Sequence, residues 1–303
     1  LGSAIVELDL EEKGVARKLV YSGDLGHRGA EILRDPTYVR HADVVVLEST
    51  YGDRLHRSHD DTLREMHEVI DAARHSGGHI LIPAFAVGRT QDLLYLFGKH
   101  FDAWGLGDWP IYLDSPLAIE ATEIYLRHTH LYDAAAKAHF AAAHRLAGLP
   151  NLHFSRSAQE SMALNDLPGA AIIIAGSGMC TGGRIRHHLK HNAWRRNCHI
   201  VITGFQARGT LGRQLVDGAR RIRLWGETIR VAASVHTLGG FSAHADQAGL
   251  IDWYRHIHDR PPVVLVHGEP TAQAVLADKL GTLRAAPVRI ATPLERIDLT
   301  RVQ

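Results

Sequence analysis

The 303-residue sequence lacks several features that would define a class of protein at once. It contains two cysteines, Cys180 and Cys198, whose spacing fits neither a zinc motif nor a disulfide framework, so a reducing compartment such as the cytoplasm is expected. Its 34 basic and 33 acidic residues nearly cancel, which excludes a global field that attracts nucleic acid. No apolar run approaches the roughly 18 residues of a membrane span, and a membrane is therefore excluded as a partner.

The composition is that of an ordinary globular protein, 45% hydrophobic and 22% charged, with enough chain for two domains. Short apolar runs alternate with helical patterns, which predicts an α/β class with a parallel sheet flanked by helices. Residues 4–10 and 17–22 predict a β-hairpin around the turn 11–14. The other predicted strands are 44–47, 79–82, 111–113, 172–175 and 200–203, with short strands around 225–227, and the predicted helices are 60–75, 90–101, 119–126 and 134–146.

Two histidines stand at points where an α/β sheet presents ligands. The run Val263–Val266 predicts a buried strand that places His267 at its carboxyl end, and His244 lies in a loop just before a predicted helix. One such histidine alone is more often a hydrogen-bonded loop residue, since the chain contains 22 histidines.

Two carboxylates also follow predicted strands. Asp24 stands in a Ser-Gly-Asp turn, and Glu48 ends an apolar strand before Ser-Thr-Tyr-Gly. Each could simply cap a turn. Together with His244 and His267, they form a candidate metal or acid–base constellation.

The order of these motifs resembles the metallo-β-lactamase fold nucleases of the β-CASP group, which includes the messenger-RNA 3′-end endonuclease and its bacterial and archaeal relatives. Four further stretches stand in the family order: Pro83-Ala-Phe-Ala-Val-Gly-Arg-Thr-Gln91, Asp114-Ser-Pro-Leu-Ala118, Gly176-Ser-Gly-Met-Cys-Thr-Gly-Gly-Arg184 and Gly204-Phe-Gln-Ala-Arg-Gly-Thr-Leu-Gly-Arg213.

The family's main metal motif, His-x-His-x-Asp-His, does not occur in the sequence, and neither does the Gly-His expected just before Leu1. We therefore expect an amino-terminally truncated chain, the carboxyl-terminal two thirds of a longer protein. The alternative is a natural relative that has lost its metal site. With so few of the expected ligands present, the chain alone should bind zinc weakly or not at all and be inactive.

The resemblance implies a partial metallo-β-lactamase αββα fold with an inserted β-CASP domain. On this interpretation, residues 56–230 form the β-CASP domain, and residues 1–55 and 231–303 belong to the metallo-β-lactamase domain. Asp24, Glu48, His244 and His267 would then meet at the cleft between the domains.

The resemblance also implies roles for these four residues. Asp24 would bridge two zinc ions, and His267 would complete the site of the second ion. His244 would protonate the leaving oxygen, oriented by Glu48, because a histidine held in one tautomer by a carboxylate suits that task near neutral pH.

The substrate-binding residues implied by the resemblance lie in two loops and at the end of a third segment. They are Ser177, Gly178, Met179, Arg208, Gly209, Thr210 and Ser242. The first loop follows a strand and precedes a helix, so its amides can hold phosphate, but it lacks the Gly-Lys-Ser/Thr of a nucleotide P-loop.

Two further patterns leave their interpretation open or structural. The basic run from Arg184 to Arg196 predicts either a solvated helix face or a patch for RNA phosphates. The five tryptophans have no regular spacing, which indicates packing in cores or at edges and not base stacking.

The leading interpretation is a zinc-dependent ribonuclease, a hydrolase acting in RNA processing or decay. A DNA-directed nuclease of the same superfamily is an alternative, although such relatives usually carry valine where this chain has His267. A noncatalytic RNA-binding relative is another. The expected partner is single-stranded RNA, with a second copy of the chain in a homodimer as a further option.

Overall fold

A computed structural model describes residues 1–12, 14–142, 148–258, 260–283 and 288–299. The strands are β1 Val6–Glu12, β2 Val15–Tyr21, β3 Val44–Glu48, β4 Ile80–Pro83, β5 Ile111–Asp114, β6 Leu152–Phe154, β7 Ile172–Ala175, β8 His199–Ile202, β9 Arg221–Leu224, β10 Glu227–Arg230, β11 Ser234–Thr237, β12 Val263–Val266 and β13 Val288–Ile290. The helices are α1 His59–Ser76, α2 Arg89–Lys99, α3 Pro116–Arg127, α4 Ala134–Ala142, α5 Ala158–Ala163, α6 Ile185–Asn192, α7 Leu211–Val216, α8 Gln247–Arg255 and α9 Pro270–Gly281.

The chain forms two compact units. The six-strand unit comprises Leu1, Glu31–Leu33 and Arg57–Ser242, and the five-strand unit comprises Gly2–Ala30, Arg34–His56 and Ala243–Gln303. Both contain parallel strands with helices packed on them, which confirms the predicted α/β class. Within the described residues, no helix has both the length and the apolar character that crossing a bilayer requires.

The sheet of the six-strand unit has the order β11-β8-β4-β7-β5-β6, and all its pairings are parallel. Alternate residues of its strands enter two different cores because successive side chains point to opposite faces. Ile80, Ile82 and Ile174 belong to the core that includes residues of α1 and α2, whereas Leu81 and Ile173 belong to the core that includes residues of α6. Burial on both faces explains why the central strands are continuously apolar.

The sheet of the five-strand unit has the order β1-β2-β3-β12-β13. Strands β1 and β2 form the predicted antiparallel hairpin, and the remaining pairings are parallel. One core joins this sheet to α8 and α9. It contains Leu47 and Leu265 from the strands, Trp253 from α8 and Leu280 from α9.

Residues at both ends of α1 explain where this helix begins and ends. Ser58 precedes α1 and accepts a hydrogen bond from the amide of Asp61 at 3.1 Å, and Gly77 ends the helix in the left-handed conformation, φ 66°. The helix predicted over 134–146 is observed as α4, and residues 143–146 lie outside the described residues, as does Lys13 of the predicted hairpin turn. The short edge strands β6 and β13 were not predicted, because three-residue strands show no clear periodicity.

Gly52 gives a direct test of packing in the five-strand unit. A Cβ atom there would lie 2.6 Å from the carbonyl oxygen of Ala272 and 2.8 Å from the Cβ of Leu276, both on α9. We expect Gly52→Ala to lower the free energy of unfolding by about 1–3 kcal/mol through overpacking. Chemical denaturation of the variant would measure this loss.

Gly281 provides the matched control, because a Cβ there meets no atom within 4 Å and the residue ends α9. Gly281→Ala should leave stability unchanged or raise it by about 0.5–1 kcal/mol, since alanine loses less backbone entropy in a helix. Equal destabilisation by both substitutions would contradict the close contact at Gly52.

Candidate metal centre and substrate loops

Glu48 and His267 lie side by side because β3 and β12 are parallel neighbours. Their register pairs Glu48 with Val266, and the amide of Ser49 donates to the carbonyl oxygen of His267 at 3.2 Å. A second bond runs from the Ser49 hydroxyl to the Val266 carbonyl at 2.7 Å. His267 itself has a φ of 51°, an uncommon conformation for a side chain of its size and one often found at functional sites.

Glu48 is fully buried and joined to His244. Its Oε1 lies 2.9 Å from Nδ1 of His244, and its Oε2 accepts the amide of Thr50 at 3.1 Å. Because a carboxylate only accepts hydrogen bonds, Nδ1 of His244 carries the proton. In the neutral ring, this leaves Nε2 as a base or a ligand.

The loop carrying His244 is fixed on both sides. His56 donates from Nε2 to the carbonyl oxygen of His244 at 2.9 Å, and burial lowers the pKa of His56 even though this hydrogen bond acts to raise it. Asp246 accepts the amides of His56 at 3.0 Å and of Gly249 at 2.9 Å, the latter as the cap of α8. The position of His244 is therefore set by neighbouring elements and not by its own loop alone.

Thr50 is a site residue to which the sequence analysis gave no role. Its hydroxyl lies 3.3 Å from Nδ1 of His244 and 3.1 Å from Nδ1 of His267, between two rings whose planes are 20° apart. Its only signal in the sequence was its place in the Glu-Ser-Thr-Tyr-Gly motif.

Asp24 reaches the same place from the end of β2. The turn before it needs glycine, because Gly23 has a φ of 58° and a Cβ there would lie 2.4 Å from the carbonyl oxygen of Ala4. The amide of Asp24 donates to the hydroxyl of Ser3 at 2.9 Å, and its carboxylate lies 3.5 Å from Nδ1 of His267.

Asp24, His244 and His267 can approach one metal ion together. Each offers a ligand atom, and these atoms all lie within 4.8 Å of one another; no other group of three such residues occurs in the described ranges. One carboxylate and two imidazoles suit zinc and similar transition metals, and three protein ligands with open positions are typical of a catalytic site. The residues present thus fit a partial metal site.

The glycine-rich loop after β7 is held by its own side chains. The hydroxyl of Ser177 accepts the amide of Gly182 at 3.2 Å. Gly178 lies under the exposed ring of Phe85, and a Cβ there would come within 2.6 Å of that ring. Phe85 belongs to the Pro83–Gln91 motif, but no role for it was predicted.

The two predicted substrate loops lie next to each other in the six-strand unit. Gln206 donates to the carbonyl of Gly178 at 2.9 Å, and the amide of Gly212 donates to that of Met179 at 3.1 Å. Arg208 and Gly209 are exposed, whereas the hydroxyl of Thr210 caps α7 by accepting the amide of Arg213 at 3.2 Å. Ser242, the remaining predicted contact, has a buried side chain.

The basic run is not one solvated face or one phosphate patch. His188 is fully buried and bonded to Asp114 at 2.6 Å, and Arg184 is paired with the other oxygen of Asp114 at 2.7 Å. Burial acts to raise the pKa of Asp114, but the bonds from His188, Ser161 and Arg184 outweigh it and leave the pKa below its usual value. Sequence spacing could not reveal this, because Asp114 lies 70 residues before Arg184.

The interpretation of the tryptophans as packing residues holds for Trp104, Trp109 and Trp253, which are buried. Trp194 and Trp225 are 54% and 50% exposed, so these two do not belong to a core. Both lie outside strands and helices, where a hydrophobic pattern gives no information on burial.

Comparison with known families fits this combination of an α/β fold and a partial metal centre. The family model described as "Beta-Casp domain" matches residues 90–215. The model described as "Zn-dependent metallo-hydrolase RNA specificity domain" matches residues 228–291. The chain thus combines an α/β fold with a partial metal site and with matches to models of a metallo-hydrolase family.

Individual proteins with similar sequences point to the same family. The chain is 42% identical over 92% of its length to a ribonuclease of Thermus thermophilus, and 32% identical over 89% of its length to an RNase J-like protein of Methanocaldococcus jannaschii. It is also 32% identical over 96% of its length to the transcription termination factor FttA of Pyrococcus abyssi. The chain spans 63%, 61% and 47% of these three relatives. It belongs to the β-CASP family of metallo-β-lactamase fold proteins, and the resemblance found in the sequence is confirmed.

The contact between Glu48 and His244 predicts the tautomer of the histidine. In metal-free buffer, long-range proton–nitrogen NMR should show the proton of neutral His244 on Nδ1. Glu48→Ala should populate the Nε2–H form, because the acceptor at 2.9 Å is removed. The exposed ring of His41 serves as the control and should not change. An unchanged His244 tautomer in the variant would contradict the orienting role of Glu48.

The lowered pKa of Asp114 predicts a pH dependence of stability. A depressed carboxyl pKa stabilises the fold above the unfolded value, about 3.9, and this contribution disappears as pH falls through the folded pKa. Asp114→Asn should cost about 3 kcal/mol at neutral pH, because Arg184 and His188 lose a buried partner, and less near pH 3. Asp102→Asn, an exposed control, should follow the parent. A variant loss that does not vary with pH would refute this assignment.

Proposed function

We propose that the chain carries part of the active site of a zinc-dependent ribonuclease that hydrolyses phosphodiester bonds in RNA processing or decay. The observation that carries the proposal is the Glu48–His244 pair beside Asp24 and His267 in one unit. We assign most of the five-strand unit to the metallo-β-lactamase domain, predicted as residues 1–55 and 231–303, and most of the six-strand unit to the β-CASP domain, predicted as residues 56–230. The ribonuclease of Thermus thermophilus supports the activity, and the RNA specificity match supports RNA as substrate.

Asp24 and His267 would hold the metal. Their side chains are exposed, and their ligand atoms lie within 4.8 Å of each other. His244 also lies within this distance but is assigned to acid catalysis, because an Nε2 bound to the ion could not carry a proton. Zinc would supply an acidified water and a Lewis acid for the phosphate, and two ions are proposed for the complete site. Thr50 would hold the His267 ring in place through its hydroxyl.

His244 would act as the general acid. Its Nδ1–H is engaged by Glu48, so the charged ring can release only its Nε2 proton without losing that bond. As the bond between phosphorus and the leaving oxygen breaks, this proton would pass to the leaving oxygen and return the ring to its neutral Nδ1–H form. The buried Glu48 carboxylate stabilises the charged ring and keeps its orientation.

RNA would be held in the six-strand unit by Ser177, Gly178, Met179, Arg208, Gly209 and Thr210, and by Ser242 at the end of that unit. The bonds from the Gln206–Gly212 segment to the glycine-rich loop support one continuous binding region. Phe85, 42% exposed over Gly178, offers a ring on which an unpaired base can stack, which favours single-stranded RNA. The two buried free cysteines fit a cytoplasmic location; a homodimer stays a prediction.

The test is RNA hydrolysis by the complete gene product with zinc. We expect cleavage of single-stranded RNA that a chelator abolishes. Asp24→Asn and His244→Ala should each reduce kcat by roughly 100- to 10,000-fold through loss of a metal ligand and of acid catalysis. Denaturing gels of a labelled RNA would measure the rates.

His41→Ala is the matched control for His244→Ala, because it removes an exposed imidazole in the same unit. It should cleave at the parental rate. Parental cleavage by His244→Ala would refute the assigned acid. Faster hydrolysis of single-stranded DNA of the same sequence would favour a DNA-directed nuclease, and RNA binding without hydrolysis would favour a noncatalytic relative.

A further inference from the structure

Trp225 occupies a position that backbone preference does not explain. It is the first of the two turn residues between β9 and β10, and the turn residues Trp225 and Gly226 have φ values of 47° and 84°. Such turns favour asparagine, aspartate or glycine, because a bulky residue is strained at positive φ. Half of the tryptophan surface is exposed, so burial does not offset this strain.

The outward face of the same hairpin is strongly basic. The register places Arg221 directly opposite Arg230 and Arg223 opposite Thr228, while Ile222 points into the core. Like charges directly opposite each other destabilise a hairpin. In the part of the chain that the structure describes, no carboxylate is paired with these three arginines, whereas Glu227, the acid of β10, is paired with Lys190 at 2.6 Å.

Two planar groups from α6 pack against the tryptophan ring and form a cluster with it. The guanidinium of Arg186 lies 4.8 Å from the centre of the Trp225 ring, and the exposed ring of His187 lies 4.4 Å from it. Arg186 also reaches the carbonyl of Thr181 in the glycine-rich loop at 3.5 Å. The cluster therefore adjoins one of the proposed substrate loops.

We propose that this hairpin platform, formed by Trp225, Arg186, His187, Arg221, Arg223 and Arg230, is an additional binding surface for single-stranded RNA. Bases stack on the planar groups, and phosphates neutralise the opposed arginines. An acidic peptide would account for the arginines but not for the exposed, strained tryptophan. The inference rests on the proposed function only in its choice of RNA as the polyanion.

The test is the affinity of the 303-residue chain for a short fluorescein-labelled oligouridine, measured by anisotropy in the presence of EDTA. Trp225→Asn suits the turn at positive φ, so it should fold at least as well as the parent. We expect it to raise Kd about five- to one-hundred-fold through loss of stacking. Trp194→Asn, which removes the other exposed tryptophan of the unit, is the matched control and should not change Kd.

A second variant tests the charges independently. Replacing Arg221, Arg223 and Arg230 together by glutamine should lower the slope of log affinity against log salt by about 2, because three phosphate contacts are lost. Arg255→Gln, an exposed arginine of the five-strand unit, should leave the slope unchanged.

Parental affinity and salt slope in both variants would overturn the proposal. Binding of labelled polyglutamate that disappears in the arginine variant, with RNA affinity intact, would overturn it in favour of an acidic protein partner. Because binding is measured without metal, a platform confirmed here stands even if the complete gene product fails to cleave RNA. Conversely, cleavage with unchanged binding by the variants would leave the proposed function intact and remove the platform.

Discussion

The parallel pairing of β3 with β12 is the constraint on which the candidate centre depends. Its register sets Glu48 beside Val266, and the same sheet pairs Tyr21 of β2 with Val46 of β3. Asp24, Glu48 and His267 all lie at the carboxyl ends of β2, β3 and β12, which meet at one edge because these strands are parallel. The backbone of β3 is hydrogen-bonded on both sides, so the positions of the three side chains share one rigid frame.

The burial of Glu48 then explains why the loop around His244 must return to this edge. A buried carboxylate costs several kcal/mol unless donors satisfy it. The amide of Thr50 and the ring of His244 supply those donors, and the bonds of His56 and Asp246 hold the loop in place. The hydrogen bond that orients the histidine is thus the one that makes the buried acid tolerable, so stability and orientation depend on the same contact.

Hydrophobic periodicity predicted the buried strands, and motifs predicted the candidate site residues. Strands β4, β5, β7 and β8 were found because burial on both faces makes them continuously apolar, and the candidate residues were found through the family resemblance. The role of Thr50 and the burial of His188 were not predictable, because both depend on neighbours distant in the chain. The exposure of Trp225 was also missed, since a turn residue takes its environment from the elements packed around the hairpin and not from its own strand pattern.

Topology accounts for most of the candidate residues in both units but not for the hairpin platform. Phe85, Ser177 and Gly204 follow β4, β7 and β8 in the six-strand unit, and Glu48 is the last residue of β3 in the other. Trp225 instead connects two antiparallel strands and has no carboxyl-end edge to place it. A strained tryptophan and directly opposed arginines both destabilise the isolated hairpin, and this loss of stability is the reason to infer a function for Trp225. An anion with planar bases would neutralise the arginines and offset the strain through stacking on the tryptophan, so a ligand of that chemistry is the simplest reason for their presence together.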